Sequence, residues 1–320
     1  MASRGTQCFL TVARKYSSNA DKNVAFLGLG NMGGFMAANL AKKGFNVRGY
    51  DPSSEALNAA AKNGITSAKS IAEAVDGVDV VVSILPSNKV VLDAYLGKDG
   101  VVKHSRKGAL LIDSSTVDPN VPKQILPVAL ENGKGFTDSP VSGGVMGAQN
   151  ATLAFMAGGR KEDFDRSLPL LKAMGAKQFH CGDIGSGQVA KLANNMLMGI
   201  TGMATAECMN MGIKAGLDPQ VLLDVLNNSS ARSWSTEVYC PVPGLVATAP
   251  SSRNYENGFK NELIVKDLEL ASGLALSIRS PIPLGALATQ IYRIAQSRGY
   301  GQKDFSYIYQ LLKEEVEKNK

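Results

Sequence analysis

From residue 23 onward, short apolar runs alternate with amphipathic stretches that end at glycines. The run at 78–85 is almost unbroken and ends at Pro86, which is typical of a strand buried on both faces of a parallel sheet. Helix-compatible segments at 35–43 and 54–62 separate such runs. The predicted strands are 24–27, 45–50, 78–85, 109–112, 135–138, 152–156 and 177–181. Strands that alternate with helices in this way predict a doubly wound α/β domain.

The pattern changes after Gly187. Residues 188–215 follow one long helical pattern that Gly216 ends, and Asp218-Pro219 is typical of an N-cap followed by proline. Because no strand pattern of any strength follows residue 185, we predict an all-helical C-terminal domain at 185–320. A long interdomain helix joins it to an α/β domain at 21–184. The later helices are predicted at 219–227, 261–277, 284–298 and 304–318.

Residues 1–20 differ from the rest of the chain in charge. They hold Arg4, Arg14 and Lys15 and no acidic residue, so they supply half of the formal net charge of +6. This acid-free, mildly amphipathic stretch predicts a mitochondrial transit peptide, with a short disordered tail as the alternative. The other charges are interspersed, so the basic balance does not indicate nucleic-acid binding. No apolar run reaches the ~18 residues of a membrane span.

The histidine and cysteine positions exclude several kinds of site. With only His104 and His180, a His-rich metal centre is excluded and a histidine-based proton relay has little support. The four cysteines lie far apart and form no C-x-x-C pair, so we predict neither a zinc site nor a disulfide framework. If the protein carries out acid–base chemistry, we expect its proton carrier to be another residue type.

The first predicted strand leads into a glycine motif that opens a helix. The match to G-x-G-x-x-G consists of Gly28, Leu29, Gly30, Asn31, Met32 and Gly33. Gly28 permits the tight turn, Gly30 lets the backbone approach a pyrophosphate, and Gly33 allows close helix–strand packing. Asp51, at the end of the second strand, can bind both ribose hydroxyls and would repel a 2′-phosphate. The motif therefore predicts a Rossmann-type sheet that binds NAD rather than NADP; a glycine turn without a ligand is the alternative.

Other candidate residues follow later strands, where ligands bind in such folds. Pro86 and Thr116 follow the third and fourth strands, although they can equally be ordinary loop residues. Ser142, Gly143 and Gly144 follow another strand, and their N–H groups can form an anion nest suited to a carboxylate. A turn without a ligand is the alternative for this segment.

The long predicted helix opens with a lysine among apolar neighbours. Lys191 shares a helix face with Asn194 and Asn195, three and four residues later. Partial burial disfavours the charged form of a lysine and lowers its pKa towards the range of a general base. A snorkelling surface lysine is the alternative. Lys266, on a later helix, either reaches the ligand site or forms an ordinary exposed charge pair with Asp267.

These motifs, in this order, resemble the β-hydroxyacid dehydrogenase family. The resemblance rests on FLGLGNMG at 26–33, DSPVSGG at 138–144, GSGQVAKLANN at 185–195 and KDL at 266–268. Softer matches to one member lie at 226–244, 254–259 and 299–306, and the whole resemblance covers residues 22–318. One departure is Ser139, where the family usually has alanine, and this exchange of small residues puts little in doubt.

The resemblance implies oxidation of (S)-3-hydroxyisobutyrate to methylmalonate semialdehyde with NAD⁺, a step of valine breakdown in the mitochondrial matrix. In the family, the residue that matches Lys191 is the catalytic acid–base. NADP-using siblings carry Asn-Arg where this chain has Asp51-Pro52. The residues that match substrate-carboxylate contacts of the family are Ser142, Gly143, Gly144 and Asn195. The residues that match lining positions of its NAD site are Leu85, Pro86, Thr116 and Lys266.

The resemblance also implies a small-molecule substrate and a homo-oligomer, a dimer or a tetramer. Sibling enzymes that reduce glyoxylate or succinic semialdehyde, or that act on L-serine or D-threonine, are alternatives. We expect the segment 230–234 to contribute to such differences in specificity. A catalytically silent dinucleotide-binding scaffold is an alternative of another class, but relatives of that kind would lack the lysine at 191.

Overall fold

The computed structural model describes residues 21–317, so the predicted transit peptide at 1–20 lies outside the described residues. The strands within this range form one mixed sheet. They are β1 Asn23–Leu27, β2 Asn46–Tyr50, β3 Thr66–Ser67, β4 Val80–Ser83, β5 Leu110–Asp113, β6 Gly135–Asp138, β7 Val141–Ser142, β8 Leu153–Gly158 and β9 Gly175–Gly182.

The strand order confirms the predicted Rossmann-type doubly wound sheet. Strands β3, β2, β1, β4, β5 and β6 are neighbours in that order and run parallel. Strand β8 pairs antiparallel with β6 and β7 and parallel with β9. The strand order reverses between β1 and β4, which are hydrogen-bonded neighbours. At such a switch point the loops after the two strands diverge and leave a crevice at their carboxyl ends.

The helices divide into two groups along the chain, and the second group confirms the predicted helical C-terminal region. Those among the strands are α1 Gly33–Lys42, α2 Ser54–Ala61, α3 Ile71–Val75, α4 Asn88–Leu96, α5 Val101–His104, α6 Asn120–Glu131, α7 Gly144–Gln149 and α8 Lys161–Met174. Those after the sheet are α9 Ser186–Lys214, α10 Pro219–Asn227, α11 Trp234–Glu237, α12 Asn261–Ser277, α13 Pro283–Ala295 and α14 Ile308–Glu317.

Two details of the helical region add to this picture. The helix predicted from 304 is wrong at its start, because 305–307 is a 3-10 turn and α14 begins only at Ile308. Asp304 caps that turn, since its Oδ1 accepts a hydrogen bond from the N–H of Ser306 at 2.9 Å. Between residues 21 and 317, no helix combines the length and the apolar character needed to cross a membrane.

The alternation of side chains along β1 explains why this strand is apolar from Val24 to Leu27. Val24 and Phe26 face one hydrophobic core, whereas Ala25 and Leu27 face the second core on the other side of the sheet. All four side chains are buried. A parallel strand covered by helices on both faces has no solvated side. The loop that follows β1 therefore begins at a buried strand that packs against a core on each face of the sheet.

Helix α9 connects the sheet to the helical region. A Cβ at Gly187, in its first turn, would lie 2.2 Å from the carbonyl oxygen of Met156 in β8. Further along, Met203 and Met209 pack into a third core together with residues of α10 and α12. With 29 residues, α9 spans about 40 Å. It therefore carries side chains from the edge of the sheet into the helical region on one element.

Candidate cofactor and reaction site

The loop after β1 requires glycine at two positions because backbone atoms approach closely there. Gly28 has a φ of +89°, and a Cβ on it would lie 2.2 Å from the carbonyl oxygen of Ile84. A Cβ on Gly33 would lie 1.9 Å from the carbonyl oxygen of Gly28. At Gly30, apart from its chain neighbours, no heavy atom of the described residues lies within 4 Å of the Cβ position. Packing within the described residues does not require Gly30, and its open Cβ position leaves room for a ligand to approach the backbone.

The end of β2 and the start of α1 meet at this loop. Within the described chain, α1 begins without a side-chain cap at Met32. The N–H of Gly34 donates to the carbonyl oxygen of Gly30 at 3.0 Å, and the other amides of the first turn can bind phosphate oxygens. The carboxylate of Asp51 accepts hydrogen bonds from the N–H groups of Leu29 and Ser53, each at 2.8 Å. A carboxylate has about four acceptor sites, so Asp51 retains capacity for ribose hydroxyls. The structure therefore places Asp51 beside the glycine motif, where the predicted NAD contact needs it.

The loops after β4 and β5 are tied together by a buried carboxyl group. The N–H of Leu85 donates to Ser115 Oγ at 2.8 Å, and Ser115 Oγ donates to Asp113 Oδ1 at 2.6 Å. Burial raises the pKa of Asp113, against the effect of hydrogen bonds from two serines. The predicted residues Leu85, Pro86 and Thr116 thus lie at adjacent strand ends, beside the switch point.

Lys191 is buried in the second turn of α9. Only 7% of the residue is exposed, so the alternative of a snorkelling surface lysine is wrong. Burial lowers the pKa of Lys191 to about 8; the negative charge of Asp267 opposes this shift and the positive charge of Lys266 adds to it. An amine with a pKa in this range can accept a proton near physiological pH and return it. The side chain has the electrostatic properties of a general base.

A buried carboxylate on α12 connects the lysine helix to the loop after β5. Asp267 Oδ2 accepts a hydrogen bond from Asn195 Nδ2 at 2.6 Å, and Asp267 Oδ1 lies 3.1 Å from Lys266 Nζ. Lys266 Nζ also donates to the carbonyl oxygen of Thr116 at 2.8 Å. Because Asp267 is only 3% exposed, the alternative of an exposed Lys266–Asp267 pair is wrong. These contacts bring four of the residues around the candidate site together.

The two asparagines after Lys191 do not have the same surroundings. Asn195 is buried, whereas Asn194 is exposed and donates through Nδ2 to Asn195 Oδ1 at 3.0 Å. The side chain of Asn195 therefore lies between Asn194 and Asp267. Its orientation is set by both neighbours, which suits a residue that has to present one amide edge to a ligand.

The predicted anion nest follows strand β7. Ser142 pairs with Ala154 of β8, and the start of α9 lies against Met156 of the same strand. Gly143 and Gly144 have φ angles of +130° and +61°, and both are exposed. In turn conformations, successive backbone N–H groups can point towards one side of a loop and form an anion nest. The structure thus places the Ser142–Gly144 segment and the lysine helix beside one strand.

Two residues inside the motifs, Asp138 and Gln188, anchor the start of α9, although neither was predicted to have a role. Asp138, at the end of β6, accepts hydrogen bonds from the N–H groups of Gly185 at 2.7 Å and Gln188 at 2.9 Å. Burial raises the pKa of Asp138 to about 6. The Gln188 side chain is fully buried and contacts the loop after β5. Its position three residues before Lys191, on the same helix face, is the signal that was available in the sequence.

The histidines lie in other parts of the molecule. His180 stacks on Phe164, and its Nε2 lies 2.8 Å from the carbonyl oxygen of Gly159. His104 ends α5, where its Nε2 lies 3.8 Å from a carboxylate oxygen of Asp99. Among the residues that the structure describes, no group of three or more His, Cys, Asp or Glu residues is arranged to hold a metal ion.

The donor set at the switch point suits a nicotinamide dinucleotide. The glycine loop and the start of α1 offer N–H groups for a pyrophosphate, and Asp51 offers a carboxylate for a ribose. Lys266 contacts the loop after β5 at Thr116, and its positive charge acts on the buried amine of Lys191. The arrangement combines cofactor ligands with a proton acceptor, as a dehydrogenase requires.

Comparison with known proteins supports the fold and the class of cofactor. Residues 23–182 match a family described as the NAD binding domain of 6-phosphogluconate dehydrogenase, and residues 185–312 match one described as NAD-binding of NADP-dependent 3-hydroxyisobutyrate dehydrogenase. The mitochondrial 3-hydroxyisobutyrate dehydrogenase of Mus musculus is 46% identical over 292 residues, which are 91% of this chain and 87% of that protein. The NAD-dependent L-serine dehydrogenase of Pseudomonas aeruginosa is 41% identical over 291 residues, or 91% of this chain and 98% of that protein.

A solved structure extends the similarity to three dimensions. The 3-hydroxyisobutyrate dehydrogenase of Mycobacterium tuberculosis, described together with L-serine, has a TM-score of 0.86 and 40% sequence identity. The similarity covers 91% of this chain and 99% of that chain. Fold, donor set and relatives together define an NAD-dependent oxidoreductase. The chain belongs to the 3-hydroxyisobutyrate dehydrogenase family, within the β-hydroxyacid dehydrogenases, and its cofactor is NAD.

Proposed function

We propose that this chain oxidises (S)-3-hydroxyisobutyrate to methylmalonate semialdehyde with NAD⁺, as a step of valine breakdown in the mitochondrial matrix. The observation that carries the chemistry is the surroundings of Lys191, a buried amine with a pKa lowered to about 8 beside the Asn195–Asp267–Lys266 cluster. The name of the Mus musculus relative supports the substrate and the mitochondrial location.

Lys191 acts as the general base in this proposal. Ser142, Gly143 and Gly144, together with Asn195, hold the substrate carboxylate, so that the 3-hydroxyl group lies against Lys191 Nζ. Lys191 accepts the hydroxyl proton while the C–O bond becomes a carbonyl. When bound, NAD⁺ would supply the acceptor for the hydride of the carbinol carbon. The same lysine, protonated, returns the proton when the reaction runs in the direction of reduction.

The cofactor contacts in this proposal come from both parts of the chain. Gly28, Leu29, Gly30, Asn31, Met32 and Gly33 hold the pyrophosphate, and Asp51 holds the ribose. Leu85, Pro86, Thr116 and Lys266 line the remaining part of the site. Residues 21–184 thus form the dinucleotide-binding domain, and residues 185–320 supply the lysine helix and the second half of the crevice.

L-serine is a second candidate substrate, because a relative of similar identity is named for it. L-serine and 3-hydroxyisobutyrate share a carboxylate and a 3-hydroxyl group and differ at the carbon between them. The proposed contacts at Ser142–Gly144, Asn195 and Lys191 bind only the carboxylate and the 3-hydroxyl group, which both substrates have. The choice between an amino and a methyl group therefore depends on other residues.

A substrate panel tests the proposal. NADH fluorescence is followed with NAD⁺ and racemic 3-hydroxyisobutyrate, L-serine or D-threonine, and in the reverse direction with glyoxylate or succinic semialdehyde. We expect kcat/KM to be highest for 3-hydroxyisobutyrate. A higher value for L-serine would make this a serine dehydrogenase, and activity with the aldehydes alone would make it a reductase of the same family.

A further inference from the structure

The Gln188 side chain holds both peptide groups that flank Thr116. Its Oε1 accepts a hydrogen bond from the N–H of Val117 at 3.0 Å, and its Nε2 donates to the carbonyl oxygen of Ser115 at 2.8 Å. The amide thus pairs with the backbone in the way a neighbouring strand would. Because the side chain is fully buried, water cannot easily replace either bond.

The backbone of Gln188 is held as firmly as its side chain. Its N–H donates to Asp138 Oδ2 at 2.9 Å, so the first turn of α9 is attached to the end of β6. Lys191 lies three residues later, almost one helical turn along the same face. The helix cannot shift along its axis relative to the loop at 115–117 without breaking bonds at Gln188.

Thr116 is also held from the opposite side of the site. Lys266 Nζ donates to its carbonyl oxygen at 2.8 Å, so the loop residues 115–117 contact both α9 and α12. The two elements that carry the ionisable groups are therefore joined through a short piece of backbone in the dinucleotide-binding sheet. Gln188 provides the two bonds on the α9 side.

We propose that Gln188 is a positioning residue that sets the placement of the Lys191 amine relative to the cofactor loop at Thr116. The inference rests on the proposed function, in which Lys191 and the residues around Thr116 serve the same transfer. Proton and hydride leave neighbouring atoms of one substrate, so the base and the cofactor need a fixed separation. A displacement of about 1 Å in such a site lowers turnover by about 10²-fold.

The test compares Gln188→Ala and Gln188→Glu with the wild type in the full chain. The alanine variant loses both bonds, and we expect kcat to fall by about 10- to 100-fold. NADH affinity, measured by fluorescence without substrate, should change much less. The isotope effect on kcat with substrate deuterated at the carbinol carbon should increase, because hydride transfer becomes slower relative to product release. A residue with only a structural role would lower the melting temperature and leave this isotope effect unchanged.

The glutamate variant tests the donor separately. An ionised glutamate can still accept from Val117 but cannot donate to Ser115, whereas a protonated one can do both. We therefore expect the ratio of variant to wild-type kcat to fall as the pH rises. Gln310→Ala is the matched control, because Gln310 donates to Tyr255 OH at 2.9 Å within the helical region. A folded Gln188→Ala protein with kcat within twofold of the control and an unchanged isotope effect would overturn the proposal.

A readout without turnover separates this inference from the proposed function. Hydrogen exchange of the Val117 N–H is measured with and without NADH. We expect strong protection in the wild type and in Gln310→Ala, and fast exchange in Gln188→Ala even with NADH bound. If the wild type oxidises no hydroxy acid but still shows a protected Val117 N–H, the proposed function is wrong, whereas the attachment of Gln188 to the loop at 115–117 is confirmed. Slow exchange in Gln188→Ala would refute the attachment directly.

Discussion

At the scale of single residues, burial decides what Lys191 can do. A solvated lysine is a permanent cation near neutral pH, whereas removal from water disfavours its charged form. The carboxylate of Asp267 prevents a larger shift, so that the pKa of Lys191 remains at about 8. The same carboxylate fixes the amide of Asn195 through a bond of 2.6 Å. One buried acid thus tunes the proposed base and orients a proposed substrate ligand.

Removal of the amine is the first prediction at this scale. Lys191→Ala should lower kcat by about 10²–10⁴-fold, as expected for loss of a general base. NADH affinity should stay close to the wild-type value, because Lys191 is not among the proposed phosphate and ribose ligands. Lys214→Ala, at the exposed end of the same helix, is the control. Steady-state kinetics and NADH fluorescence measure both, and near-normal turnover of Lys191→Ala would contradict the assignment.

The pH dependence is a second prediction. Oxidation needs the neutral amine, so kcat/KM for oxidation should rise with pH and level off above about 8. Reduction needs the protonated amine and should show the opposite trend. Asp267→Asn removes the charge that raises the pKa of Lys191, and the rise should then occur at lower pH. Initial rates from pH 6 to 10 in both directions check this; an unmoved profile in Asp267→Asn would show that another group titrates.

Cofactor choice is the third prediction, and it concerns Asp51. Asp51→Arg replaces a group that repels a 2′-phosphate by one that binds it, so the NADP-to-NAD ratio of kcat/KM should increase by about 10- to 100-fold. This range follows from the ~1.5–3 kcal/mol of a hydrogen bond to a charged group. Asp51→Asn is the control, because it removes the charge but keeps an acceptor for the N–H of Leu29. An unchanged ratio would mean that the ribose is recognised elsewhere.

At the scale of elements, the loop between β1 and α1 contains glycines that are needed for two different reasons: close packing of the chain and approach of a ligand. Gly33 is required by the chain itself, because α1 crosses close over the carbonyl of Gly28. Gly30 is required only if a ligand approaches, since its Cβ position is open. These distances agree with the separate roles that the sequence motif predicts for Gly30 and Gly33.

Two alanine variants make this distinction measurable. Gly33→Ala should lower the free energy of unfolding by about 1–3 kcal/mol, as overpacking does. Gly30→Ala should keep the wild-type melting temperature and weaken NADH binding by about tenfold or more, because a methyl group stands where the backbone approaches the pyrophosphate. Thermal denaturation and fluorescence titration are the measurements. Normal NADH affinity in Gly30→Ala would place the pyrophosphate elsewhere.

At the scale of the whole molecule, the helical region exposes several large apolar side chains. Leu276, Leu284 and Leu287 are 81%, 64% and 59% exposed, and the last two are neighbours on one face of α13. Exposed apolar patches of this kind mark surfaces that contact another protein. They support the proposal that the chain forms a homo-oligomer, a dimer or a tetramer.

The oligomer proposal leads to the fifth prediction. Light scattering should give a mass that is a multiple of the protomer mass, and the double change Leu284→Glu, Leu287→Glu should lower it by placing charges on the face. Leu130→Glu, on an exposed position of α6, should not change the mass. A wild-type protein that is monomeric at micromolar concentration would refute the proposal.

The sequence by itself determined the elements that local physics controls. Apolar runs on strands buried on both sides, glycine turns and the change to a helical pattern after residue 185 predicted the doubly wound sheet and the helical region. The motif residues at Gly28–Gly33, Asp51 and Lys191 were visible because steric and electrostatic demands restrict the residue types allowed there. Short elements such as β3 and β7 were not predicted, since two residues carry no periodicity.

Only the tertiary structure decided which of these residues work together. Asp138, Gln188 and Asp267 each contact a group far away in sequence. Asp138 accepts from Gly185 and Gln188, Gln188 reaches residues 115 and 117, and Asp267 accepts from Asn195. No local pattern encodes such pairs, because a side chain that is polar in a helix looks the same whether it faces water or a backbone loop. The sequence predicted a lysine that can lose its proton; the packing of α9 between β6, the β5 loop and α12 determined its surroundings, and burial there sets its pKa.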